Sequence, residues 1–311
     1  MSGIERNFNK TRLNVLLVID QFGWAFDFGA RGIKKYSKHN CTIKRSRDVT
    51  VSDILNNDVI FCFCSAMWRG ITANNDNKQA LESADKRIIV GLRASPQEVG
   101  EHVSSKIKCS AIACISKETY DFHLKYEKEH GFNRKVYLVH SGVDTEIFKP
   151  IIRPDNRFVV GWAGYLNRKV KRTYLLNYLD YPLLMMTNWG QRYFVEGRSR
   201  QEMVDFYNKI DAYICVSSAE GFPQVILEAA ACGLPIVSTK VGAIAEFLDE
   251  EWLISPMPED KVMAELNRKL KILAEDPELR KKVGQQNRAK CLNTWEWKHI
   301  VSKYDECFEG K

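Results

Sequence analysis

The residues best suited to chemistry lie together at 217–235, which read SSAEGFPQVILEAAACGLP. Pro223 suits the first position of a helix, where its missing N–H would have no intrahelical partner anyway. Gly233 suits the stop, with Pro235 just beyond it. Neither Gly221 nor Phe222 carries a side-chain oxygen that could cap such a helix. The amides of Gln224, Val225 and Ile226 are therefore expected to lack a local acceptor. An uncapped helix start after a Gly-containing loop is a seat for an external anion, and a phosphate is its natural guest. Glu228 falls one turn into the helix and Glu220 in the loop before it, so the two carboxylates project from different elements. Ala229, Ala230 and Ala231 let the helix pack closely on a sheet. For either glutamate alone, a solvated surface position is the plainer reading; the whole pattern argues for a site.

The elements that must position this helix follow from hydrophobic patterning. Short apolar runs occur at 13–19, 59–63, 87–92, 111–116, 136–140, 158–163, 183–187, 212–217 and 235–239. Runs of this length, rich in Val and Ile and bounded by polar residues or Gly, suit strands buried on both faces of a parallel sheet. Helix-like stretches at 117–130, 199–210 and 223–232 alternate with them, which implies βαβ units and a doubly wound α/β architecture. The pattern breaks between Asp144 and Arg157, where Pro150 and Pro154 fall among charged residues. Two Rossmann-like domains with a cleft between them follow. Beyond Ser255 the chain reads as helical at 260–274, 277–292 and 295–309. Open parallel sheets bind ligands at the carboxyl ends of their strands, which places the expected site in the loop after 212–217.

The segment resembles the E-x7-E signature of retaining family 4 glycosyltransferases, within the pattern S-x-x-E-G-x-P-x-x-x-L-E-A-x-A-x-G-x-P. Residues 237–246, VSTKVGAIAE, resemble that family's V-G-G-x-x-E continuation, with Ala243 in place of the second glycine. Residues 140–150, HSGVDTEIFKP, are similar to its N-G-V-D-x-x-x-F-x-P passage between domains. Trp295-Glu296-Trp297 resembles the opening of its last helix. The likeness extends from about residue 140 to 308 and is weak before that.

The resemblance implies a GT-B fold of two Rossmann-like, doubly wound parallel-sheet domains facing a cleft. Residues 1–145 would form the acceptor side and 146–294 the nucleotide-sugar side, with 295–311 packing back on the first domain. Glu228 would bond the ribose hydroxyls. Glu220, with the backbone at Gly221 and Phe222, would contact the donor sugar. The helix start at Pro223, Gln224 and Val225 would face the diphosphate. The basic side chains belong in the loop after the first strand of the second domain, 161–171. There the family has a G-R pair followed by a K-G pair: Lys171 matches the lysine, Tyr165 or Leu166 after Gly164 falls where the arginine is expected, and Arg168 is the substitute. The family's Gly-Gly pair near the donor phosphates is represented by Gly23 alone. Where many relatives carry a functional His, this chain reads Gly91-Leu92-Arg93-Ala94-Ser95, and the nearby His102, like His140, reads as structural.

The resemblance thus implies a retaining glycosyltransferase using a nucleotide-sugar, UDP-sugar foremost, as a substrate. No metal or other cofactor is expected, because cations and the helix start neutralise the leaving group. A nucleotide-sugar epimerase or phosphorylase of the same architecture, or a non-catalytic nucleotide-sugar binder, is the alternative.

The net charge of +7 over 311 residues favours anionic partners without choosing among them. Arg31, Lys34, Lys35, Lys38, Lys44, Arg45 and Arg47 crowd one stretch, which reads as a solvated face and also leaves open a phosphorylated lipid head group or DNA. The acceptor stays open among a glycan, a phospholipid-linked species and nucleic acid. Trp24 and Phe28 would share a helix face, with core packing favoured over stacking on an acceptor. Nine cysteines at irregular spacings, Cys62 and Cys64 among them, fit reduced thiols and no zinc site. The polar start, followed by a short apolar run, does not suit a secretory signal, and no apolar run approaches the about 18 residues of a membrane span. The expected location is cytoplasmic, with contact at the inner membrane surface left open.

Overall fold

The Val- and Ile-rich runs pair into two parallel sheets in the computed structural model, which describes residues 12–84, 86–96, 107–151, 157–187 and 198–311. The first half contains β1 (Asn14–Ile19), α1 (Ala25–Tyr36), β2 (Asn40–Arg45), α2 (Val51–Asn56), β3 (Val59–Cys62), α3 (Ser65–Thr72), α4 (Asn75–Ser83), β4 (Arg87–Leu92), β5 (Ala111–Cys114), α5 (Lys117–Glu129) and β6 (Lys135–Leu138). Its strands lie in the order β2-β1-β3-β4-β5-β6. β1 is buried on both faces from Val15 to Ile19, as a central strand covered by helices on each side must be. β2 is one of the two edge strands; its sequence NCTIKR has no continuous apolar run, so apolar patterning does not register it.

The second half contains β7 (Val160–Gly164), β8 (Leu183–Thr187), α6 (Arg200–Tyr207), β9 (Ala212–Cys215), α7 (Gln224–Ala231), β10 (Ile236–Thr239), α8 (Ile244–Phe247), β11 (Leu253–Ile254), α9 (Glu259–Glu275), α10 (Pro277–Lys290) and α11 (Trp297–Glu309). The strand order is β11-β10-β9-β7-β8. β7 lies beside both β8 and β9, so the chain reverses direction across the sheet there. Such a switch point opens a crevice at the carboxyl ends of the strands.

The chain crosses between the halves twice, side by side. The Val143 amide donates to the Trp295 carbonyl at 2.9 Å and the Trp297 amide to the Val143 carbonyl at 3.3 Å. α11 then lies on α1, where a Cβ on Gly32 would come within 2.4 Å of the Trp297 indole. Tyr304 and Phe308 pack edge-on against Phe61 of the first sheet, with ring centroids 5.8 and 5.7 Å apart. The last helix therefore opens at Trp297 rather than Trp295. Trp295 ends a π-helical turn, Cys291–Trp295, and packs edge-on against His140, Phe222 and Phe247 at 4.9, 5.1 and 5.6 Å. It plugs the joint between the two halves.

Candidate functional site

α7 opens at the carboxyl end of β9, facing the first half of the molecule. Its first residue is Gln224, with Pro223 at the cap position in extended geometry and no side-chain cap. The expected place of Pro223 inside the helix is thus shifted by one. The Ile226 amide also departs from expectation: it bonds the Pro223 carbonyl at 3.0 Å, which tightens the first turn. Among the described residues, the amides of Gln224 and Val225 have no acceptor. The helix ends as its sequence suggests. Gly233 takes φ +77°, its amide bonds Ala230 O at 2.9 Å, and the Leu234 amide bonds Ala229 O at 3.2 Å, a Schellman closure. The three alanines are fully buried.

The loop before α7 is held from behind by residues 241–243. Gly242 takes φ +51°, and a Cβ there would come within 2.2 Å of the Gly221 carbonyl and 2.3 Å of that of Glu220. Only glycine fits. Ala243 sits at φ −70° and donates its amide to Gly221 O at 2.8 Å, so replacing the second glycine of V-G-G-x-x-E by alanine costs no backbone strain.

Glu220 faces the loop after β7. Lys171 Nζ lies 2.6 Å from Glu220 Oε1, with the two side chains 13% and 8% exposed. The two residues expected to serve phosphate and sugar separately are brought together as one nearly buried ion pair. Arg168 lies on the same loop, exposed at the cleft. Gly164 ends β7 at the cleft, where a Cβ would meet the Trp162 ring at 3.0 Å.

Glu228 is buried and accepts a hydrogen bond from the Tyr207 hydroxyl at 2.9 Å. Burial pushes its carboxyl up, with the Tyr207 bond and the charge of Arg200 pulling the other way. Oε1 takes no hydrogen bond among the described residues, and Glu228 lines the cleft. Tyr207 and Arg200 are contributors that the sequence reading missed. Both lie on α6, far from Glu228 in the chain, and nothing local to either marks the contact.

The first half supplies the opposite wall. Gly23 follows β1 with φ +78° and donates its amide to Asp27 Oδ2 at 2.9 Å. Asp20 follows the same strand at the cleft, exposed on one side, and partial desolvation raises its pKa; nothing in the sequence marks it. Trp24 and Phe28 are only half-buried and line the cleft, which corrects the expectation of core packing. Arg93 stands where the resemblance implies a functional His. Its guanidinium donates to Phe63 O at 3.3 Å, Val139 O at 3.4 Å and the Tyr304 hydroxyl at 3.1 Å, so it braces the fold. His102 lies outside the described residues. His140 Nε2 is 2.9 Å from Glu246 Oε2, and Glu246 Oε1 accepts the Lys117 amide at 2.7 Å. Glu246 of the second half thereby holds two elements of the first.

The two walls enclose about 770 Å³, lined by Gly23, Gly164, Arg168, Lys171, Glu220, Phe222, Pro223, Gln224, Val225 and Glu228 among others. Gly221 stands behind this lining. A Cβ there would come within 2.1 Å of the Arg93 carbonyl, so its bareness lets the two halves close.

Away from the cleft, much of the basic stretch is paired. Arg31 meets Asp27 at 3.0 Å, Lys38 meets Glu309 at 2.6 Å, Lys44 meets Asp53 at 2.7 Å, and Arg45 meets Asp48. This favours the solvated-face reading. All nine cysteines are free. Among the described residues no cluster suits a metal ion, and no helix is long and apolar enough to cross a membrane.

Two parallel-sheet domains closing on a cleft, with the last helix returned to the first, constitute the GT-B fold of glycosyltransferases. Residues 183–290 match the family described as Glycosyl transferases group 1. The chain is 28% identical over 115 residues to lipopolysaccharide 1,2-N-acetylglucosaminetransferase of Salmonella typhimurium, covering 35% of this chain and 29% of that protein. It is 23% identical over 223 residues to an uncharacterized glycosyltransferase of Methanocaldococcus jannaschii, covering 64% of this chain and 59% of that one. The matches thus span less than two thirds of either curated relative. Among solved structures, Anabaena Alr3699/HepE in complex with UDP-glucose superposes with a TM-score of 0.73 at 15% identity, over 96% of this chain and 100% of that one. The matched family and the names of both relatives support a sugar-transferring enzyme.

Proposed function

We propose that this protein is a retaining glycosyltransferase that moves a sugar from a UDP-sugar to an acceptor hydroxyl without a metal ion. The observation that carries the reading is the α7 start: Gln224 and Val225, whose helix start has no side-chain cap, line the cleft together with Lys171 and Glu228. Each hydrogen bond to a charged oxygen is worth about 1.5–3 kcal/mol, and such donors need no reorganisation as charge develops on a departing diphosphate. Glu228 Oε1 would accept a ribose hydroxyl. Glu220 would meet the sugar while Lys171 turns toward the phosphates.

The reading assigns no carboxylate pair among the described residues as nucleophile and acid/base partner. The acceptor oxygen would form its bond to the anomeric carbon on the face from which the diphosphate leaves. The bond to the phosphate oxygen breaks, and the hydroxyl proton passes to that oxygen. UDP as the nucleotide is supported by the UDP-glucose bound to Alr3699/HepE. The acceptor side offers Asp20 and Gln21 beside Trp24 and Phe28, groups suited to a hydroxyl-rich molecule. Incubation with UDP-sugars and an acceptor panel, with the product's anomeric configuration read by NMR, tests the proposal. A product with the donor's configuration supports it. An inverted product, an epimerised nucleotide-sugar, or UDP-sugar binding with neither transfer nor slow hydrolysis overturns it.

A further inference from the structure

Arg172, directly after Lys171, is the one non-glycine residue with positive φ among those described, at φ +44° and ψ +42°. A side-chain-bearing residue held there costs roughly 1–2 kcal/mol and persists only where its surroundings over-determine it. The surroundings here are carbonyls. Nε donates to Val216 O at 2.7 Å, Nη2 to Ser217 O at 3.1 Å and Nη1 to Pro256 O at 2.9 Å. Val216 and Ser217 continue β9 toward Glu220, and Pro256 follows β11. The side chain is 3% exposed and absent from the cleft lining, so it meets no ligand directly. A second tie runs the same way, from the Ser218 amide to Val170 O at 2.8 Å.

We propose that Arg172 is a positioning residue, its buried guanidinium fastening the Lys171 loop to the end of β9 so that Lys171 stands beside Glu220 and the α7 start. The left-handed turn aims the guanidinium inward, while Lys171, one residue earlier, points to the cleft. A lysine could not replace it, because one ammonium cannot span the fork that reaches Val216, Ser217 and Pro256. The inference rests on the diphosphate reading of the cleft.

Calorimetric titration with UDP and with uridine, on folded protein below its melting temperature, separates this role from general support. Arg172→Gly accepts the left-handed backbone and deletes the guanidinium. It should weaken UDP about tenfold and leave uridine within about twofold, since only Lys171 is displaced. In a Lys171→Ala background the same change should cost less than about twofold, because residues acting through one another are not additive. Arg172→Lys should show the same selective loss, and it carries the test if the glycine variant does not fold. Unchanged UDP affinity, equal losses of UDP and uridine, or an undiminished loss without Lys171 overturns the role. If Lys171→Ala leaves UDP affinity unchanged, or the native protein binds no UDP, the diphosphate reading itself has failed and takes this inference with it.

Discussion

Lys171 and Glu220 meet at 2.6 Å across the loops after β7 and β9, nearly out of solvent. The pair joins a cation of the loop after β7 to a carboxylate of the loop after β9. Removing one member of a buried pair leaves the other uncompensated, at a cost of about 3 kcal/mol or more. Lys171→Ala should lower the urea midpoint accordingly, and Lys171→Met combined with Glu220→Gln should recover most of it. Additive losses from the two positions would show that they do not act as a pair.

Glu228 links pH to stability in a direction set by its raised pKa. A carboxyl whose folded pKa lies above its unfolded value contributes stability that is present below about pH 4.5 and is lost as pH rises through the folded value. At neutral pH the buried carboxylate is therefore a cost. Glu228→Gln should melt higher than the native protein, by a margin that widens from pH 4 to pH 8. The same variant should bind UDP and uridine more weakly by about 1–3 kcal/mol, because the proposed ribose contact would be shared by both ligands. A margin that narrows with pH would refute the burial argument, and unaltered uridine affinity the ribose contact.

Gly221 marks where the two halves touch, its missing side chain facing the Arg93 carbonyl. Gly221→Ala should fold, yet force the halves apart and reduce transfer by about a hundredfold, the scale of an ångström's misplacement. Native-like turnover in this variant would mean that the closed arrangement is not the working one.

Metal independence is checked by turnover in excess EDTA. On the proposed mechanism Lys171, Arg168 and the α7 amides would neutralise the departing diphosphate, so the rate should stay within about twofold of its untreated value. Abolition by EDTA and restoration by Mg²⁺ would overturn the metal-free mechanism.

The fold class is legible because parallel strands buried on both faces must read as apolar runs, as β1, β3, β4, β5, β7, β9 and β10 do, and the edge strands β6 and β8 are apolar enough to register too. β2 is not legible. An edge strand such as NCTIKR needs no continuous apolar run. The α7 cap and the Gly233 stop are local in sequence and can be read there, apart from the one-residue shift at Pro223. Tyr207 against Glu228, and Arg172 against Val216, Ser217 and Pro256, are joined only by tertiary packing. No spacing rule reaches across separate strands and helices to find them. The fit of Ala243 likewise depends on a φ of −70° that the residue type does not announce.

The α7 start is tested most directly by titrating UDP into ¹⁵N-labelled protein and following amide shifts. The Gln224 and Val225 amide protons should move downfield among the largest changes, with uridine alone leaving them nearly still. Large shifts confined to other elements, with Gln224 and Val225 unmoved at UDP saturation, would contradict a diphosphate seat at this helix.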